Sequence, residues 1–142
     1  MPISPYILAI MAGWIVAQGI KYILGGIKSR SFRRFRQLYA SGDMPSAHSA
    51  TVMSLVTVIG LINGVSSAVF GLAILFAGIV MYDAVMVRRS SGEQGEALLQ
   101  LIKEVKSTVV NPRAAKGHTP VEVLAGATLG VLIGLVVFVA TK

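Results

Sequence analysis

Three short stretches of this chain gather polar, charged and potentially nucleophilic residues where apolar sequence begins or ends. They are Gly42-Asp43-Met44-Pro45-Ser46-Ala47-His48-Ser49, Tyr82-Asp83-Ala84-Val85-Met86-Val87-Arg88-Arg89 and Lys116-Gly117-His118-Thr119-Pro120-Val121-Glu122. Lys21 closes another apolar stretch, with Gln18 and Trp14 on the same helical face. This inventory suits phosphate chemistry. Arginine grips phosphate oxygens bidentately and lysine adds a point charge. Helix N-termini, expected at two of these stretches, offer free N–H groups and a positive dipole end to an anion. A neutral histidine can attack phosphorus or carry a proton near pH 7. With no cysteine, thiolate ligands and thiol nucleophiles are excluded, and six acidic residues supply a zinc or two-metal hydrolase poorly. No metal and no other cofactor is therefore expected.

The same residues also have purely architectural explanations. Thr119-Pro120-Val121-Glu122 reads as a capping box, with Thr119 as N-cap, proline at the first helical position and Glu122 three residues on. Ser46 can cap the helix that follows it, Asp43 can serve a turn, and His118 can be a loop residue at a helix start. Asp83 is harder to explain this way. A carboxylate at the edge of an apolar span needs a cation, and Lys21, Arg88 and Arg89 are the candidates.

The elements that must position these groups are membrane helices. Charged residues make up 13% of the chain and hydrophobic ones 54%, with a mean hydropathy of +0.73. Ordinary soluble domains run near 25% and 45–50%. Residues Ser49 to Tyr82 form 34 consecutive positions without a charge, more apolar sequence than a soluble chain of this size can bury. The reading is an all-α integral membrane bundle, one domain over residues 1–142, with spans near 4–27, 45–63, 67–87 and 120–141. Asn63-Gly64 is the expected turn between the second and third. The first apolar stretch is kept as a span because its first basic residue, Lys21, follows it.

Residues 88–119 read as a polar loop holding one amphipathic helix. Ser90 and Glu93 fit a capping box there, and Ala97, Leu98, Leu101, Ile102 and Val105 form a stripe expected to lie on the membrane surface or against the bundle. Gly126, Gly130 and Gly134 make a close-packing helix face, and with it the small bundle is expected to form a homodimer.

The net charge of +7 sorts to one side. Lys21, Lys28, Arg30, Arg33, Arg34 and Arg36 precede the second span; Arg88, Arg89, Lys103, Lys106, Arg113 and Lys116 lie between the third and fourth; Lys142 falls opposite. The positive-inside rule then expects a multi-pass protein of the cell membrane with both termini outside and the motif loops cytoplasmic. Orientation and attraction to anionic headgroups account for this charge, and no recognition module accompanies it, so membrane lipids rather than nucleic acid are the expected partners.

Pro45-Ser46-Ala47-His48-Ser49 resembles the Pro-Ser-Gly-His motif of the type-2 phosphatidic acid phosphatase superfamily, which includes vanadium-dependent haloperoxidases. His118-Thr119-Pro120-Val121-Glu122-Val123-Leu124-Ala125-Gly126 resembles its last motif, His-x-x-x-Asp followed by Val-Leu-Ala-Gly. More closely, the chain resembles the small divergent branch labelled acid phosphatase/vanadium-dependent haloperoxidase-related. The matching stretches are Gln18-Gly19-Ile20-Lys21, Gly42 to Ala50, Val87-Arg88-Arg89 with Gly92-Glu93-Gln94, and Gly117 to Val123.

The resemblance implies a metal-independent histidine phosphatase of a lipid phosphate or pyrophosphate. His118 would attack phosphorus to give a phosphohistidine, Glu122 would orient His118, and His48 would protonate the leaving oxygen and then activate water. Lys21, Ser46, Arg88, Arg89 and Lys116 would hold the phosphate, with Asp83, Asp43 and Arg113 in support. The chain departs from the pattern in places. Seven residues after Lys21 stands Lys28 where the superfamily has arginine then proline. Pro112 stands six residues before His118, with Arg113 five before, and Glu122 replaces an aspartate. Two alternatives stay open: a non-catalytic phosphate-headgroup binder or lipid transporter that retains the anion site, and a vanadate-using oxidase.

Overall fold

The structure, a computed structural model, describes residues 3–29, 44–112 and 117–142. Asp43, Arg113, Lys116 and Arg30 to Arg36 lie outside the described residues, so the roles expected of them are not placed. The described residues build five α-helices: α1 (Pro5–Ser29), α2 (Ala47–Asn63), α3 (Ala68–Tyr82), α4 (Arg88–Glu104) and α5 (Pro120–Ala140). A single π-helical turn, Asp83–Val87, joins α3 to α4 without a break.

Local sequence chemistry sets most of these boundaries. Ser46, Ser67 and Thr119 cap α2, α3 and α5, each with its side-chain oxygen accepting a backbone N–H three residues on. Thr119 and Glu122 form the complete capping box anticipated from their spacing. Gly64 ends α2 at φ +84°, a left-handed conformation that glycine adopts without a Cβ penalty.

Among the described residues three helices are long and apolar enough to cross a membrane: residues 5–27 of α1, the continuous helix Ala68–Glu104, and α5. The apolar α2 is shorter at 17 residues, about 25 Å at 1.5 Å per residue. It is also the central helix, packed on by α1, α3 and α5. Ala47, Ala50, Val52, Val56, Val58 and Ile59 are buried along it. Meanwhile Ile15, Leu75, Phe76, Leu124 and Val136 point outward from its neighbours. A bundle with small residues inside and large apolar ones outside is what lipid, rather than water, selects. The chain is a helical membrane bundle.

The seam between α2 and α5 explains the glycine stripe. A Cβ on Gly126 would strike the Ser46 carbonyl, one on Gly130 the Ala50 carbonyl, and one on Gly134 Thr57 and the Ser54 carbonyl. Ser46/Gly126, Ala50/Gly130 and Ser54/Gly134 advance together by four, so the two helices run parallel in one register. The glycine face is thus occupied within the chain, by α2, so the close packing expected of it is met inside one bundle. At the far end of the bundle Tyr6 donates to Asn63 Oδ1 at 2.8 Å, tying the start of α1 to the end of α2.

The expected capping box at Ser90 is not used. Ser90 Oγ accepts from the Gln94 side chain and Glu93 pairs with Arg89, while the backbone is already helical on both sides. No helix needs to start there because α3 never stops. At about 55 Å, the 37-residue helix outruns a hydrocarbon core of about 30 Å. Leu98, Leu101 and Val105 remain exposed, and α4 packs on the π turn and, through Arg89 in its first turn, on Gly117.

Candidate functional site

Because α2 and α5 are parallel, both of their N-termini lie at the same end of the bundle, which is also where α1 and α3 end. The Ser46 N–H donates to the Glu122 carbonyl at 3.1 Å, joining the two starts directly. The His118 N–H donates to the Ala84 carbonyl at 3.0 Å, joining α5 to the π turn. Residues from the three motifs, separated by up to 76 positions between Ser46 and Glu122, thereby share one site.

His118 is its most enclosed titratable group, 5% exposed. Its Nδ1 lies 3.3 Å from Glu122 Oε2, and the same carboxylate oxygen accepts the Thr119 N–H at 2.9 Å. Glu122 therefore does two jobs, capping α5 and orienting the histidine. A carboxylate only accepts, so Nδ1 carries the hydrogen that faces it, and the lone pair of a neutral ring sits on Nε2. Burial pushes the His118 pKa below the ordinary histidine value, opposed by the hydrogen bond and charge of Glu122 and reinforced by the Lys21 and Arg88 cations. The balance favours a neutral ring near pH 7.

Lys21 is buried, 8% exposed, on the site side of α1. Burying an ammonium is costly without an anionic or hydrogen-bonding neighbour, so its position marks a polar centre inside the bundle end. His48 stands in the first turn of α2 and is exposed, within electrostatic reach of Lys21, Asp83, Arg88 and His118. Arg88 donates through Nε to Asp83 Oδ2 at 2.6 Å, so the cation required by Asp83 is Arg88. Arg89 turns outward to Glu93 at 3.1 Å, which separates it from its neighbour in the motif.

Ser46 is fully buried. Its Oγ accepts from the Ser49 amide at 3.4 Å and the Ser49 hydroxyl at 3.0 Å, which accounts for it as a cap. Trp14 is exposed, about two turns away from Lys21 along α1. Among the described residues no group of three His, Asp or Glu side chains is placed to hold a metal ion.

Two contributors carried no signal of their own in the sequence. Ala84 acts through its carbonyl, which any residue possesses. Gly117 packs so closely that a Cβ would meet Arg89 N, Cα and Cβ. Its place beside His118 could have flagged it, but nothing in the sequence names Arg89 backbone as its neighbour.

The fold and the site define a helical membrane protein with a histidine–carboxylate pair and cations at one end of its bundle. The chain belongs to the Divergent PAP2 family, whose profile matches residues 4–133. It is 35% identical over 145 residues to YuiD, an uncharacterized membrane protein of Bacillus subtilis (strain 168), in an alignment covering 92% of this chain and 91% of that protein. No solved structure matches the chain.

Proposed function

We propose that this protein is a membrane phosphatase that hydrolyses a lipid phosphate or pyrophosphate through a phosphohistidine. The observation that carries the reading is buried His118 paired with half-buried Glu122, with Nδ1 held at 3.3 Å and Nε2 left for chemistry. Nε2 of neutral His118 attacks phosphorus, a P–N bond forms and the bond to the leaving oxygen breaks. His48 gives its proton to that oxygen. It then takes a proton from water, whose oxygen attacks phosphorus as the P–N bond breaks, returning neutral His118 and inorganic phosphate. Lys21 and Arg88 offset the charge that develops on the non-bridging oxygens. Arg89, paired outward with Glu93, contributes less, and Ser46 serves the reaction by capping the helix that carries His48.

The distribution of basic residues supports a site at the cytoplasmic face of the cell membrane. A reporter fused to the C-terminus and active only outside the cell should be active; a cytoplasmic signal reverses the orientation.

A non-catalytic binder of phosphate headgroups is favoured by one observation: Asp83 already holds Arg88 at 2.6 Å, which leaves less of that cation for a transition state. The deciding experiment measures phosphate release from a panel of lipid phosphates and pyrophosphates by the purified protein in detergent. His118→Ala and His48→Ala are run alongside, with equal folding checked by circular dichroism. Wild-type turnover that falls to background in His118→Ala is the expected result. Turnover retained by His118→Ala overturns the mechanism, and vanadate binding without any turnover selects the binder.

A further inference from the structure

The π turn lies beside the histidine site and has its own internal logic. The Arg88 N–H bonds to the Asp83 carbonyl five residues back, the defining step of a π turn. In an α-helix, residues five apart are about 140° apart around the axis and their side chains do not meet. Here Asp83 and Arg88 stack, and their side chains close at 2.6 Å. The bridge and the widened turn therefore support one another.

The turn also receives the His118 loop. Ala84 is buried, and its carbonyl accepts the His118 N–H at 3.0 Å. One residue earlier, Gly117 lies against the Arg89 backbone with no room for a Cβ. The loop is thus seated at two successive residues, His118 on the π turn and Gly117 on the first turn of α4 that follows it. The imidazole is then held from both sides, its backbone by Ala84 and its Nδ1 by Glu122.

We propose that the π turn and Gly117 together form the positioning element of this site, the Ala84 carbonyl seating the nucleophile's backbone and Asp83 aiming Arg88 by its Nε edge. A guanidinium has five donors, so one bond to Asp83 leaves the Nη groups for an anion. This rests on the reading of His118 and Arg88 as the groups that handle phosphate. Neither Gly117 nor Ala84 needs to touch the substrate; both act through His118.

The test uses the full chain in detergent micelles and three readouts: the ring-nitrogen NMR signature of His118, the hydrogen exchange of its amide, and the affinity for orthovanadate as a phosphate mimic. Wild type should show hydrogen on Nδ1 and a slowly exchanging amide. Gly117→Ala should speed that exchange, alter the ring signature and weaken vanadate binding about 100-fold, the loss expected when a reacting group moves by about 1 Å. Asp83→Asn should speed the exchange and weaken vanadate binding about tenfold. Gly78→Ala, on α3 with nothing within 4 Å of its Cβ, should match wild type in all three. His118 exchange and ring signature unchanged in Gly117→Ala would overturn the proposal, even if vanadate binds and the phosphatase reading stands. Should Gly117→Ala not fold, Asp83→Asn decides by the same exchange measurement, with wild-type exchange overturning the proposal. A wild type that binds no vanadate defeats the phosphate reading alone, because the two NMR readouts still judge the seat.

Discussion

Two of the junctions among the described residues bring backbone close to backbone by opposite means. Along the α2–α5 seam, Gly126, Gly130 and Gly134 meet the Ser46, Ala50 and Ser54 stretch at intervals of four, so one periodic pattern sets a register for several turns. Where the π turn passes into α4, one glycine, Gly117, lies against Arg89, and a hydrogen bond from His118 to Ala84 completes the contact. The seam distributes its close approach over the bundle and stabilises the fold. The π junction concentrates it at one loop and places one histidine. Damage to the first should unfold the protein; damage to the second should misplace a side chain in a bundle that still stands.

The largest expected effect is at the seam. Gly130→Leu would force a branched side chain into the Ala50 carbonyl and Met53, and the bundle should lose its cooperative melting transition in detergent. Gly130→Ala should retain the fold at a cost of about 1–3 kcal/mol, read as a lowered melting temperature. If Gly130→Leu melts like wild type, the parallel register described here is wrong.

Glu122→Gln should leave the melting temperature nearly unchanged, because the amide oxygen can still accept the Thr119 N–H. It removes the charge beside His118, and the proposed hydrolysis should fall about 100-fold. A variant that instead unfolds would make Glu122 a capping residue before anything else, and would move it from the second class of junction to the first.

The pH dependence follows from the same pair. The folded-state pKa of His118 is lowered, chiefly by burial, so the folded protein binds this proton less well than the unfolded chain. Its contribution to stability is fully present above the ordinary histidine value of about 6.5, is lost as pH falls through that value, and levels off below the folded-state pKa. Melting temperature should drop on acidification from pH 7.5, and His118→Gln should flatten that drop. An equally steep profile in His118→Gln would assign the proton elsewhere.

The smallest effect is expected at the far end. Tyr6→Phe removes the 2.8 Å bond to Asn63 in an exposed setting and should cost about 1 kcal/mol or less without touching hydrolysis. A change in turnover would show that the two ends of the bundle communicate.

Much of the frame was legible in residue types. The helix starts at Ser46 and Thr119 and the turn at Asn63-Gly64 are local events, decided by side chains within three residues of the backbone they cap. Asp83's need for a cation was legible for the same reason, since an ionised carboxylate at a span's edge has few other solutions. The start of a new helix at Ser90 misled, because a capping pattern acts only where a helix begins, and the run from α3 had not ended. The glycine stripe announced a close approach but not its partner; α2 and a second copy of the chain offer the same chemistry to a bare helix face.

The sequence by itself therefore determined the apolar helices, the caps at Ser46 and Thr119 and the positions of the basic residues and histidines, because each depends on residues adjacent in the chain or on total apolar length. Only the tertiary structure decided that α2 and α5 run parallel in a fixed register, that the third helix continues through a π turn, and that Gly117 and Ala84 hold His118. Those outcomes depend on contacts between residues up to 80 positions apart, as between Ser46 and Gly126, and on backbone groups that every residue carries alike. A carbonyl has no letter in the sequence, so which one seats the histidine is settled by packing alone.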